Sequence, residues 1–458
     1  MGGSSIQLYA LGPQDYHLTA NPQITFFKSV FKRHTNFTKD VRRIFFSENT
    51  PSLGSKETVA KINIDGDLLS SLYLEVDITG TVTNANAGKY TINHFGNSLV
   101  KKVELEIGGF IIDTHYSQWL QIYDELTHNI SEHNTTMSGT HGGLDTSLNL
   151  TAGSHDSYEI NSHNRATGNC PLIFGGQGNY GSNVVGGTYT KKIIIPLKFW
   201  FTKNPGMYLP LSALYKHEIK LRFSFEEETK LKGTHDITNF KSKIKLFGEF
   251  IHLDEDEKRR FSQSNHEYII EQVQLNNNGP FTTTSTPDTS ITTQLINMDY
   301  ELNFLHPVKY FVWVIVNEGV LDSNLGTTNI GQGPCYFTSL CSNSIYGNDG
   351  YDGNVEILLD GIEREMTLPM IYYTRMYPKK YCNYTPELDR IGMYSFALNP
   401  FSVEPSGTCN FSKINDKNIK ISFANNDVTK ISGKPLYFFA VNYNVLIITD
   451  GMAAIRYT

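Results

Sequence analysis

Apolar residues recur at every second position along several stretches of this 458-residue chain. Val103, Leu105 and Ile107 alternate with Glu104 and Glu106, and Phe439, Val441, Tyr443, Val445 and Ile447 repeat the pattern near the C-terminus. Period two places such residues on one face of a half-buried strand. Threonine, isoleucine, phenylalanine and tyrosine are abundant, and Gly/Asn/Pro clusters punctuate the strands. Many short strands with few helices predict an all-β sandwich or jelly roll. Two stretches read as helix instead. Over 114–132, Tyr116, Trp119, Leu120, Tyr123 and Leu126 fall on one stripe. Over 254–264, Asp254, Glu255, Asp256 and Glu257 lead and Lys258, Arg259 and Arg260 follow, an order that suits the helix macrodipole. This second helix directly follows the alternating stretch 244–253, so it is expected to connect two domains.

The pattern also repeats on a larger scale. Val103-Glu104-Leu105-Glu106-Ile107-Gly108-Gly109 matches Val355-Glu356-Ile357-Leu358-Leu359-Asp360-Gly361, a strand running into a tight turn. Pro205, Ser212, Leu214, Ile219, Lys220, Leu221 and Phe223 match Pro405, Ser412, Ile414, Ile419, Lys420, Ile421 and Phe423. Each half then ends in a long alternating strand, 244–253 and 437–448. Between the matched blocks the first half carries about 52 extra residues, and polar inserts of that kind run over surfaces. The Gly/Asn/Ser/His-rich stretch 128–190 is the expected insert.

Composition supports folded cores: only 19% of residues are charged, against 27 Phe and 26 Tyr. The net charge of −7, with no long Lys/Arg block, makes a poor grip for nucleic-acid phosphates. The cysteines Cys170, Cys335, Cys341, Cys382 and Cys409 are odd in number and contain no C-x-x-C pair, which favours a reducing compartment over a disulfide or zinc scaffold. The first ten residues do not read as a signal peptide. The most apolar run, 311–316, is far shorter than the ~20 residues a membrane helix needs. A soluble protein is expected.

The candidate chemistry dissolves motif by motif. Gly176, Gly178 and Gly181 fit G-x-G-x-x-G, but the residues that follow are turn-like rather than a helix that could face a pyrophosphate. Asn348, Asp349, Asp352 and Asn354 lack the alternation and terminal glutamate of an EF-hand. His133, His141, His155 and His163 have no metal-ligand spacing. Glu104 and Glu106 share a strand face, as a glycosidase acid pair could, yet read as a solvated outer face. Ser29 and Lys32 satisfy S-x-x-K without its companion motifs. No catalytic, cofactor or metal site is expected. Asn36, Asn129, Asn134, Asn149, Asn383 and Asn410 each begin an N-x-S/T sequon and are the candidate glycosylation positions.

One set of motifs is informative as a whole. The N-terminal stretch from Gln14 through Asn21-Pro22-Gln23-Ile24-Thr25-Phe26-Phe27-Lys28 to Arg33-His34-Thr35-Asn36-Phe37 resembles the start of major capsid proteins of nucleocytoplasmic large DNA viruses. In the family's order follow Ile195-Pro196-Leu197-Lys198-Phe199-Trp200-Phe201, Asn204-Pro205-Gly206, Leu209-Pro210-Leu211, the acid-to-base stretch with His266-Glu267-Tyr268, then Pro405-Ser406-Gly407 through Ser412, and Phe439 through Leu446.

The resemblance implies two tandem eight-stranded jelly rolls: an arm over 1–22, a first roll over 23–253, a connector over 254–264 and a second roll over 265–458. It also implies a homotrimeric, pseudo-hexagonal capsomer that tiles an icosahedral shell, touching neighbouring capsomers and, on the inner face, minor capsid proteins. An internal membrane would be met only indirectly, nucleic acid not at all, and assembly would take place in the host cytoplasm. No catalytic residue carries over, because the family has none. A minor or penton-associated double-jelly-roll virion protein, an assembly scaffold and a carbohydrate-binding jelly roll are the competing expectations.

Overall fold

The computed structural model describes most of residues 19–82, 95–127, 187–232, 237–280, 295–316, 353–382, 390–424 and 433–457, with scattered positions elsewhere. Residues 1–37 and 38–458 are separate compact units. In the first unit the described side chains are largely exposed, Ile24, Phe26, Phe27 and Phe31 among them.

Among the described residues, period two resolves into nineteen strands. The first half contains β1 (Phe37–Ile44), β2 (Thr58–Ile62), β3 (Leu68–Val82), β4 (Val100–Ile107), β5 (Phe110–Tyr116), β6 (Gly187–Pro196), β7 (Leu209–Pro210), β8 (Ile219–Phe225) and β9 (Ile237–Leu253). The second contains β10 (His266–Pro280), β11 (Leu295–Glu301), β12 (Pro307–Ile315), β13 (Gly353–Leu359), β14 (Ile362–Pro369), β15 (Gly392–Ser395), β16 (Cys409–Asn410), β17 (Lys417–Ala424), β18 (Pro435–Thr449) and β19 (Met452–Ile455). They form four antiparallel sheets. The first half gives β1-β9-β3-β6 and β2-β8-β4-β5; the second gives β10-β18-β12-β15 and β11-β17-β13-β14. Substituting strand for strand, the two orders are identical. Each half is an eight-stranded jelly roll with short additions.

The likeness extends to irregularities. β7 opposes the start of β3 through Leu68–Pro210 and Leu69–Leu209, and β16 opposes β12 through Pro307–Asn410 and Val308–Cys409. A bulge follows at once in both, between Leu69 and Ser71 and between Val308 and Tyr310. A 3-10 turn comes after each short strand, Leu211–Ala213 and Phe411–Lys413. One part of the sequence alignment needs correction. Val103 faces Phe223, but Val355 faces Ile421 rather than Phe423. The matched strands of the two halves are therefore two residues out of step. Because side chains alternate with period two, such a slip leaves every apolar residue on the same face and is invisible in the pattern.

Other boundaries also move. The helix expected over 114–132 is α2, Ser117–Thr127, the short helix α1 (Phe95–Leu99) lying just before β4; Thr114 and Tyr116 belong to β5. The end of the expected insert, 187–190, is strand β6. Helix α3 (Glu228–Lys232) precedes β9. The acid-to-base stretch forms α4, Glu255–Gln263, capped by the Asp254 carboxylate accepting from the Asp256 N–H at 2.9 Å.

Each sandwich has its own core, and the first core also takes in Ile270, Leu446, Ile448 and Ala453 from the second half. Leu72, Leu74 and Val76 on β3 meet Val103, Leu105 and Leu221 in the first; Phe311, Trp313, Val355, Ile421 and Phe438 meet in the second. β12 is apolar at consecutive positions for a further reason. Phe311 and Trp313 face the second core while Tyr310, Val312 and Val314 face a third cluster on the opposite side of the sheet. A strand covered on both faces loses its alternation.

Candidate functional site

The third cluster is the joint between the sandwiches. Helix α2 belongs to the first half, and its apolar stripe divides. Leu120 enters the first core, while Trp119, Ile122 and Leu126 pack on Tyr310, Val312, Val314, Met393, Phe439 and Val441 of the second half. The Trp119 ring lies 5.9 Å from Phe439 and 6.4 Å from Tyr310, centroid to centroid. Aromatic pairs at such separations add to the stabilisation from burial itself.

Polar contacts fix the register of this apolar joint. The Val273 N–H on β10 donates to Asp113 Oδ1 on β5 at 3.0 Å, and Gln272 Nε2 donates to the Ile112 carbonyl at 2.5 Å. Asp113 Oδ2 lies 2.8 Å from His115 Nε2, and the imidazole stacks on Phe199 at 4.6 Å. Beside them stands an ionic triad: Lys203 Nζ of the first half donates to Glu271 Oε2 at 2.6 Å, and Lys309 Nζ, 1% exposed, donates to Glu271 Oε1. Burial alone would raise the Glu271 carboxyl, but the two ammonium groups outweigh it and hold it at about 2. Burial pulls Lys309 down despite Glu271, whereas the field of Glu271 overcomes burial and raises Lys203. Lys309 also donates to the Ser402 carbonyl at 3.1 Å. Nothing in the sequence singled out these residues: 203, 271 and 309 are far apart along the chain and match no motif.

The residues weighed earlier do not converge on a centre. Glu104 and Glu106 do not form a solvated face: they are 8% and 3% exposed. Lys102 Nζ donates to Glu104 at 2.8 Å and Arg222 pairs with Glu106, so the aliphatic stems of the cations accompany paired carboxylates rather than leaving an acid pair open to substrate. Ser29 and Lys32 are exposed, and Asn354 lies in β13. The glycines at 176, 178 and 181, the four insert histidines, and Asn348, Asp349 and Asp352 lie outside the described residues. So do Asn129, Asn134, Asn149 and Asn383. Asn36 is exposed; Asn410 is exposed too, its Oδ1 accepting from the Ser412 N–H at 3.1 Å to cap the 3-10 turn. Among the described residues no three His, Cys, Asp or Glu side chains are grouped to hold a metal ion, and no helix is long and apolar enough to cross a membrane. Cys335, Cys341, Cys382 and Cys409 are free thiols.

The family models and full-length relatives that this chain matches are capsid proteins. Residues 25–254 match the family described as major capsid protein N-terminus, and residues 257–454 match large eukaryotic DNA virus major capsid protein. The major capsid protein of Pyramimonas orientalis virus is 33% identical over the full length of both chains, and that of Paramecium bursaria Chlorella virus 1 is 30% identical over the same span. The crystal structure of PBCV-1 VP54 superposes with a TM-score of 0.71 at 26% identity, covering 95% of this chain and all of that one. The Faustovirus major capsid protein, at 12% identity and a TM-score of 0.56, shares the fold. With family matches that adjoin at α4 and full-length relatives in two viruses, the chain belongs to the major capsid protein family of large eukaryotic DNA viruses.

Proposed function

We propose that this chain is the major structural subunit of a large DNA virus shell and acts by presenting surfaces, with no catalytic step. The observation that carries the reading is the strand-for-strand identity of the two jelly rolls in one polypeptide. Three such chains supply six similar blocks, so a homotrimer occupies a site of hexagonal symmetry in a lattice with half the copies otherwise needed. A closed ring of three requires a heterologous interface, with different patches of each copy in contact. The division into an arm over 1–22, rolls over 23–253 and 265–458 and a connector over 254–264 belongs to this reading, supported by the adjoining matches at 25–254 and 257–454. So do contacts with neighbouring capsomers and inner-face minor capsid proteins, residence in the virion and assembly in the host cytoplasm. Glycans at any of the six sequon asparagines would decorate this shell without altering the reading.

Purified protein should sediment as a species of about 155 kDa, three times the 51.7 kDa chain. A stable monomer at micromolar concentration overturns the trimeric subunit.

A further inference from the structure

The C-terminal hairpin of the second half reaches across to the first sandwich. Ile448 on β18 and Ala453 on β19 lie in the first core, and Ile455 packs against it. β19 pairs with β18 through Ile448–Ala453 and Thr449–Met452 and has no other strand beside it among the described residues. Its outward N–H groups therefore need partners elsewhere. The Ala453 N–H finds one on the first sandwich, donating to His217 Nδ1 at 3.1 Å. In the same loop the Lys216 N–H donates to the Gly451 carbonyl at 3.1 Å, and the Tyr215 ring closes on the hairpin turn, 2.7 Å from where a Cβ on Gly451 would stand.

The first sandwich is shaped to admit this imidazole. Gly108 in the β4–β5 turn donates its N–H to the Glu218 carbonyl, as Asp360 in the β13–β14 turn donates to the Asp416 carbonyl. The two turns therefore correspond, and His217 takes the place of Asn415. The backbone is left-handed at both positions, with φ of 61° and 49°. In the second sandwich the Asp360 carboxylate accepts from the Asn415 and Asp416 N–H groups at 3.0 and 3.1 Å. In the first, a Cβ at Gly108 would lie 2.3 Å from His217 Nδ1. Glycine at 108 thus forgoes the aspartate's hydrogen bonds and leaves the space to the ring, between the two turns.

An imidazole whose Nδ1 accepts from a backbone N–H is unprotonated at that atom. Protonation makes Nδ1 a donor, and two N–H groups then face each other without an acceptor between them. The charged groups on the elements around the ring are Lys216, Glu218 and Asp450. Glu218 is engaged by Lys61 at 2.6 Å and Lys220 at 2.9 Å, Asp450 is exposed, and Gly108-Gly109 and β19 bring no other charge. We propose that His217 is an acid-released clasp between the two halves of the chain: the neutral ring holds β19 on the first sandwich, and the imidazolium lets it go. Histidine is the side chain that changes charge between about pH 5 and 8. The contact is complete where the ring is neutral and is lost as pH falls through the ring's titration. Glu271, held at about 2, keeps its charge in that range, so the hairpin loosens while the ionic triad stays intact.

The test is hydrogen exchange of the full chain at about pH 7.5 and about pH 5.5, read at single amides by mass spectrometry and corrected for the intrinsic effect of pH on exchange. Protection of the Ala453 amide is expected to fall about tenfold at the lower pH. Phe439, where β18 pairs with β12, is expected to keep its protection. His217→Asn places an oxygen acceptor at the position of Nδ1 and removes the titration, so it is expected to protect Ala453 equally at both pH values. Equal protection of Ala453 in the parent at the two pH values overturns the proposal. So does a His217→Asn chain that responds as the parent does, or a matching loss at Phe439, which marks general unfolding. Should the variant fold poorly, deuterium exchange at the His217 Cε1–H of the parent gives the ring's own titration. Its midpoint is expected to coincide with the loss of Ala453 protection, and separate midpoints overturn the clasp.

Discussion

The Trp119 indole of the first sandwich sits 5.9 Å from the Phe439 ring of the second, at an interplanar angle of 42°. Trp119 lies on the helix that follows β5, and Phe439 on the strand that closes the second sandwich. Their contact packs one sandwich against the other in a buried apolar cluster.

Trp119→Ala should therefore weaken the whole unit. Removing a buried indole costs about 3–5 kcal/mol through lost transfer energy and the cavity left behind. Guanidinium denaturation should show the midpoint falling by a corresponding amount, with Trp119→Phe losing less. An unchanged midpoint would remove the joint as a stabilising element.

The Glu271 triad gives the joint an acid limit. The folded carboxyl is held at about 2, against an ordinary value of 4.5. A depressed carboxyl contributes stability that is complete above pH 4.5 and is lost as pH falls towards 2; the difference is about 3 kcal/mol. Glu271→Gln should destabilise the protein near neutrality by about 3–5 kcal/mol, because Lys203 and Lys309 are left facing one another. It should also flatten the acid limb of stability measured by urea melts between pH 3 and 7. A variant with the parent's acid limb would place that limb elsewhere.

Gly392 and Gly361 should respond differently to alanine. A Cβ at Gly392 would lie 2.1 Å from Trp313 Cε2 in the second core, with β-strand neighbours on β12 that cannot retreat. Gly392→Ala is expected to cost at least ~1–3 kcal/mol by overpacking. Gly361 has open space around it and a φ of 75°, so Gly361→Ala is expected to cost only about 1 kcal/mol, from the left-handed backbone of the β13–β14 turn. Thermal melts of the two variants should rank in that order.

Burial pushes the Cys335 thiol up to about 12, and its Sγ–H donates to the Ser117 carbonyl at the start of α2. The thiolate is the reactive form, so Cys335 should resist alkylation at pH 8 while the joint is closed and react on unfolding. Mass spectrometry of iodoacetamide-treated protein checks this; native-state labelling at Cys335 would mean that the joint opens.

The alternation of Val103, Leu105 and Ile107 and the repeated hairpin at Val355 were enough to establish from sequence an all-β chain built twice, because strand periodicity and turn chemistry are local. The acids and bases of 254–260 placed a helix for the same reason. The local pattern could not distinguish a two-residue slip of β17 against β13, since either register presents the same face. Nor could it assign Trp119 and Leu120 to different cores, or draw Lys203, Glu271 and Lys309 together from three distant segments. Glu104 and Glu106 looked solvated because charge in an alternating strand usually meets water; Lys102 and Arg222, side chains that also look outward, supply the partners that let them be buried. Pairing across strands, and the packing of one sandwich on the other, depend on contacts between residues remote in the chain. Those were decided only when the chain folded.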